Sequence, residues 1–195
     1  MTGLLRQLLI DHFSDPQNIE DPKVRRQLEV LGAWQPIENG LNQPGILVES
    51  ITRWNPNNSD KRPAVLIKRN AWQWMRKTIG DRTDGNLYTG STSYTGFWEG
   101  SHTLYCLAQN GAETEFLATE VFRFLLTFSP LIRDQMALMR FLISEVGGIG
   151  EIQEVIQGYA VPVTVSYVAE ESWELQPYAP RLKRIVFKAS DLLSY

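Results

Sequence analysis

At 195 residues and 22.3 kDa the chain is long enough for a substantial core, because a folded chain of this size buries roughly 70% of the surface its unfolded form exposes. Hydrophobic residues make up 43% and charged residues 21%, which excludes a disordered profile; a net charge of −3 and a pI near 5.5 argue against a general nucleic-acid binder. One cysteine, Cys106, and two histidines, His12 and His102, exclude a zinc finger, an iron–sulfur cluster, an intramolecular disulfide and most histidine-centred catalytic sites.

Residues 2–13 read as an amphipathic helix, with Leu5, Leu8, Leu9 and Phe13 at helical spacing, Thr2 as N-cap and Ser14-Asp15-Pro16 as its end. The stretch is too short and too polar for a membrane span, and it lacks the apolar run and cleavage site of a signal peptide. A second short helix is expected over Pro22–Leu31, with Pro22 at the favoured first position and Gly32 as the stop. Gly45–Trp54 and Pro63–Trp74 carry β-branched and aromatic residues on either side of the turn cluster Asn55–Asp60, which predicts an antiparallel pair joined by an exposed loop. The sequon Asn57-Asn58-Ser59 in that loop is of a kind that arises by chance. Thr78–Gly96 is polar and rich in Gly, Ser, Thr and Asp, a long loop or a mobile hairpin, and Phe97–Gln109 resumes as strand.

Ala112–Asp134 is the clearest helix. Leu117, Val121, Phe124, Leu125, Phe128 and Leu131 form one apolar face, with Glu113, Glu120, Arg123 and Thr127 elsewhere. Ser129-Pro130 is expected to kink or end it. Leu138–Val146 and the glycine turn 147–150 follow. Tyr159, Val161, Val163, Val165 and Tyr167 then alternate along a strand that Pro162 assigns to an edge or a bulge, and Arg184–Lys188 alternates again. The sum is a single α+β domain over 1–195: a mostly antiparallel β-sheet with one long helix packed on it, short N-terminal helices within 1–40, and the loop or hairpin at 78–96.

The search for chemistry finds little. Gly148-Ile149-Gly150 lacks the third glycine of a dinucleotide fingerprint, since Gln153 stands in its place, and reads as a turn between strands. There is no phosphate-binding Gly-Lys-Ser/Thr loop and no Gly-x-Ser-x-Gly elbow. Cys106, inside an apolar strand, reads as a small buried hydrophobe, and His102 as a surface or capping residue. No catalytic, metal-binding or cofactor-binding residue is assigned, and the chain reads as a non-enzyme.

Charge is segregated. Lys61, Arg62, Lys68, Arg69, Arg76, Lys77 and Arg82 form a basic stretch around Trp72 and Trp74. Carboxylates gather at Glu113, Glu115 and Glu120, where the helix dipole accounts for them, then at Glu145, Glu151 and Glu154, and at Glu170, Glu171 and Glu174. The basic stretch suits a nucleic-acid platform, a solvated strand face, or one half of a head-to-tail contact whose other half is acidic. Tryptophans beside turns and strand ends, among them Trp54, Trp98 and Trp173, add the aromatic character of protein interfaces. The residues expected at subunit or partner contacts are Lys61, Arg62, Arg69, Arg76, Lys77, Glu151, Glu154, Glu170, Glu171 and Trp173.

The run from Ala112-Glu113-Thr114-Glu115 through Phe128-Ser129-Pro130-Leu131-Ile132-Arg133, the strand Phe141–Val146, the segment Val161–Tyr167 and Trp173 together resemble neck proteins of tailed bacteriophages, most closely the tail-terminator (tail-completion) family. The similarity spans about residues 97–188 and rests on element order and short runs; the first forty residues and Thr78–Gly96 exceed a minimal terminator. The resemblance implies a small fold of helices on a mostly antiparallel sheet, without cofactor. It also implies a hexameric homo-oligomeric ring that ends the tail tube, contacts the tail tube protein and docks the head-completion or connector protein. DNA would pass through the lumen without specific binding, no membrane would be involved, and the protein would reside in the virion neck after synthesis in the host cytoplasm. An adjacent stopper protein and a DNA-binding accessory are the alternative roles.

Overall fold

A computed structural model describes residues 1–19, 22, 25, 45–53, 63–76, 82–86, 90–152 and 158–176. Of the expected helix Pro22–Leu31 only Pro22 and Arg25 are described, both in helical conformation; the loop carrying the sequon and the strand Arg184–Lys188 lie outside the described residues. Helix α1 (Thr2–Ser14) leads into a 3-10 turn at Pro16–Asn18, and then come β1 (Leu47–Ser50), β2 (Ala64–Arg69), β3 (Gln73–Arg76), β4 (Arg82–Gly85) and β5 (Thr92–Ala108). Helix α2 (Gly111–Gln135), β6 (Leu138–Val146), β7 (Gly150–Ile152) and β8 (Gly158–Leu175) complete the order.

The α+β class is corrected. Strands take 50% of the described residues against 33% for helices, and one N-terminal helix is described rather than several. The difference arises because β5 and β8 run for 17 and 18 residues, well beyond the apolar alternation that marks their centres. Thr92–Thr95 and Glu170–Glu174 extend them with runs that are polar apart from Tyr94 and Trp173 and carry no apolar period.

Two compact units share these long strands. The larger comprises Met1–Gln73 and Glu99–Ala169, the smaller Trp74–Trp98 and Glu170–Tyr195. The strand order β1-β2-β5-β8-β6 organises the larger unit, with β7 paired to β8. The β1–β2 pair is parallel, with Leu47 opposite Ala64 and Ser50 opposite Ile67, contrary to the antiparallel hairpin expected. Both faces of this pair are buried at Leu47, Val48, Val65 and Leu66, the pattern of a parallel pair covered on two sides. In the smaller unit β4 pairs antiparallel with the start of β5, so the described part of 78–96 is a hairpin.

Period two decides the centre of the larger unit. Val161, Val163, Val165 and Tyr167 are buried on one face of β8, in one cluster with Val65 and Ile67 of β2, Leu104 and Cys106 of β5, and both helices. β8 is not an edge strand. Pro162 is accommodated because the β6 ladder ends at Val163 and the β7 ladder at Ala160, so no strand partner calls on its missing N–H. Gly147 instead donates to the Pro162 carbonyl at 2.8 Å.

α1 contributes Leu5, Leu9 and Phe13 to the core at four-residue spacing. Its N-cap is Met1 and not Thr2, whose hydroxyl is used elsewhere. α2 begins where the Asn110 side chain accepts from the Ala112 N–H, and it runs through Pro130 without ending. Pro130 removes the donor to the Leu126 carbonyl at a place where both residues are exposed, so no buried group loses its partner. The buried stripe is rotated from the expected one: Leu117, Ala118, Val121, Phe124, Leu125 and Ile132 are inside, whereas Phe128 (39% exposed) and Leu131 (44%) are outside. Met136 and Ala137 join α2 directly to β6, with Ala137 at φ 49°, a left-handed conformation that non-glycine residues rarely take.

Phe124→Ala should lower stability by about 3–5 kcal/mol, the usual cost of truncating a buried Phe. Phe128→Ala should cost much less despite sharing the predicted face. Chemical denaturation of both variants checks the rotation; equal losses would return Phe128 to the core.

Candidate functional site

The smaller unit is built on aromatic rings. Trp74 of β3 lies 4.7 Å from Trp98 of β5 between ring centroids in an edge arrangement, and 5.9 Å from Trp173 of β8. Trp173 stacks on Tyr94 of β5 at 5.4 Å with an 8° angle between planes. The Trp98 indole N–H donates to the Glu171 carboxylate. Gly96 makes room for the plate: a Cβ there would come within 1.9 Å of the Trp74 ring. None of these rings is fully buried, and Trp173 is 39% exposed. Large rings held in fixed mutual geometry and still facing solvent are what a recognition surface uses, since stacking fixes their rotamers before a partner arrives.

Four of the described residues expected at contacts fall in this unit. Glu171 and Trp173 belong to the plate, Glu170 precedes them exposed on β8, and Arg76 is exposed at the end of β3. Arg69 lies in the larger unit at the end of β2, its guanidinium 4.6 Å from the centroid of the Trp72 ring. Glu151 is in β7 opposite Tyr159. Lys61, Arg62, Lys77 and Glu154 lie outside the described residues. The basic half of the expected seam is therefore represented by Arg69 and Arg76 alone among the described members. Trp74, Trp98 and Tyr94 complete the plate but were not among the expected contact residues; their signal was aromatic content near turns, which does not show which rings meet.

A second feature was misread in the sequence. Glu120, expected on the polar side of the long helix, is buried, and its carboxylate lies 3.0 Å from His12 Nε2 with both side chains almost wholly covered. Phe124 packs on the His12 ring at 4.4 Å and Phe13 meets it edge-on at 5.0 Å. The pair lines a cavity of about 570 Å³ between α1 and α2, together with Leu8, Arg25, Phe128 and Leu131. A carboxylate that orients an imidazole beside a cavity is the geometry of a general base. It is equally a polar tie between two helices: a buried carboxylate needs a partner, and His12 supplies one. Among the described residues no three His, Cys, Asp or Glu side chains gather as a metal site would require.

His102 is also misplaced by the sequence reading. It is wholly buried on β5, sharing a 2.8 Å hydrogen bond between Nε2 and the Thr2 hydroxyl, while Nδ1 has no partner among the described residues. Burial, then the Met1 amino group and Arg69, lower its pKa to about 4. Tyr167, whose ring centroid lies 5.6 Å from that of His102, has its phenol pushed up by burial, against the opposing effects of a Trp72 hydrogen bond and the Arg69 charge. Cys106 is buried as expected, and burial raises its thiol pKa far from thiolate chemistry.

No helix among the described residues is long and apolar enough to cross a membrane. No protein-family model matches the chain, and no curated protein matches it.

Two measurements follow from the buried histidines. His12→Leu should cost about 3–5 kcal/mol, because it leaves the Glu120 charge buried and unpaired, whereas the double variant with Glu120→Leu should recover most of the loss; a double-mutant cycle on thermal stability reads this directly. His102 binds no proton in the folded state until near pH 4, while in the unfolded chain it titrates near 6.5. Between these values the unfolded state holds more protons, so stability should fall as pH drops from 6.5 toward 4. His102→Gln should flatten that part of the stability–pH curve; an unchanged slope would show another group to be responsible.

Proposed function

We propose that the chain is a structural subunit that acts by assembly and not by catalysis, forming a ring at the head–tail junction of a tailed bacteriophage where it ends the tail tube and docks the head connector. The observation that carries this reading is the plate of Tyr94, Trp74, Trp98 and Trp173, pre-stacked and only partly covered. Exposed apolar side chains on α2 and β6, among them Phe116, Leu126 and Met139, support the same reading, because a free monomer rarely displays so many. Segregated charge and the phage-neck resemblance of residues 97–188 supply the ring and its partners. Carboxylates beside the plate at Glu170, Glu171 and Glu174 disfavour DNA there, which suits a passage that DNA traverses without being held.

The mass of the full chain, measured alone and after mixing with purified tail tubes, tests the reading. A closed ring in either sample supports it. Trp173→Ala should abolish ring formation or tube capping while leaving the melting of the larger unit nearly unchanged, since Trp173 has no part in that unit's core. A monomer indifferent to tubes overturns the reading, and a DNA affinity that falls steeply with salt would favour a DNA-binding accessory.

A further inference from the structure

β6 ends the strand order of the larger unit, and among the described residues its second edge has no strand partner. The strand is nine residues long, and Met139, Arg140, Leu142, Ser144, Glu145 and Val146 are exposed along it. An unpaired edge of this length is a template for another strand, and the charges and two bulges it carries restrict which strand fits. Its side chains identify which one.

The register against β8 fixes how they face. Arg140 lies opposite Val168, Leu142 opposite Ser166 and Glu145 opposite Thr164, so these three share one face of the sheet. Phe141, Ile143 and Val146 lie opposite Tyr167, Val165 and Val163 and share the other. Arg140 and Glu145 are five residues apart and in a regular strand would point to opposite faces. The bulge at Ser144 corrects this. It inserts one extra residue and brings Glu145 to the face of Arg140, with Leu142 midway between them.

A strand with that pattern is complementary to itself. When two copies of β6 run antiparallel about a two-fold axis through Leu142, each Leu142 meets its counterpart. With both register shifts of β6 kept, the one between Ile143 and Glu145 and a second between Leu138 and Arg140, Phe141 then faces Ile143 of the second copy, Leu138 faces Val146, and Arg140 faces Glu145 on both sides of the axis. The two members of each pair share a face of the joined sheet, and each charged pair joins residues of opposite sign. Any other antiparallel register breaks at least one of these matches, and opposite charges directly across a strand pair stabilise it whereas like charges oppose it. Arg140 also pairs with Glu99 of its own chain at 3.2 Å, both residues remaining partly exposed, which holds the guanidinium near the sheet without removing it from the surface.

We propose that two copies of this chain pair through the open edges of β6, antiparallel and centred on Leu142, with Arg140 of each opposite Glu145 of the other. This goes beyond the ring reading. A two-fold contact presents the same patch from both sides and closes on itself, whereas a polar ring needs two different patches. The pairing therefore describes the subunit before it joins a ring, with its exposed edge covered by a second copy.

Charge reversal tests the pairing on the full-length chain. The wild type should be dimeric by sedimentation. Arg140→Glu and Glu145→Arg should each weaken the dimer by about tenfold or more, since either places like charges opposite each other twice. Mixed in equal amounts, the two variants should form a heterodimer, because one copy then offers two glutamates and the other two arginines. Circular dichroism confirms that each variant is folded. Should either fail to fold, Leu142→Cys replaces them: the two introduced thiols would meet on the axis and, with oxidised glutathione added as the two-electron acceptor, join as a covalent dimer, with buried Cys106 unable to substitute. A monomeric wild type, variants that dimerise as before, a mixture that stays monomeric, or an absence of crosslinking each overturns the proposal. Tail-tube capping by Arg140→Glu is scored separately, so a failed dimer with intact capping removes the pairing and leaves the ring reading standing.

Discussion

Val163 and Val165 have no exposed surface, and every large element of the larger unit arranges itself around that fact. Burying one face of β8 requires a cover, which α1 and α2 supply, and neighbours in register, which β5 and β6 supply. At roughly 25 cal/mol per Å² the apolar stripe outweighs local preferences such as the aversion of strands to proline. Pro162 is retained inside this strand because the stripe holds its place and the flanking ladders stop short of it.

The polar groups drawn into that core are the ones whose burial is balanced. Glu120 has His12, and His102 shares a hydrogen bond with Thr2 while staying neutral. Both arrangements tie α1 to distant parts of the chain, the first to α2 and the second to β5. A helix of thirteen residues is marginal alone, so these two ties, with Leu5, Leu9 and Phe13, are what give α1 a fixed position. The smaller unit has a different economy: its cohesion comes from ring-on-ring contact, with solvent still touching the rings.

What could be read from the sequence follows the range of the interactions involved. The apolar alternation of Tyr159–Val168, the presence of a helix from about Ala112 and the inert character of Cys106 are local properties, and all were legible; the helix's continuation through Pro130 was not. The parallel sense of β1 and β2 was not, because two apolar runs separated by a turn cluster carry no mark of direction. The burial of Glu120 and of His102 depended on partners 108 and 100 residues away. Phe128 and Leu131 showed helical spacing yet ended outside, since periodicity defines a stripe but not the width that the neighbouring elements cover. Of the plate residues, Glu171 and Trp173 stood among the residues singled out from composition, whereas their neighbours Tyr94, Trp74 and Trp98 needed the three strands to be brought together.

The two-residue joint at Met136-Ala137 bears on how the chain folds in time. It brings a 25-residue helix back along the strand that follows it, so the packing of α2 against β6 closes a very short loop. Contacts between segments near in sequence lose little chain entropy on closure and form early, while the β1–β2 and β2–β5 ladders must wait for distant segments to meet. The left-handed Ala137 sets the cost of that early step: its backbone must enter a sparsely populated region before the helix and strand can touch. That cost falls within the turn itself, where the Ala137 N–H donates to the Asp134 carbonyl at 3.3 Å.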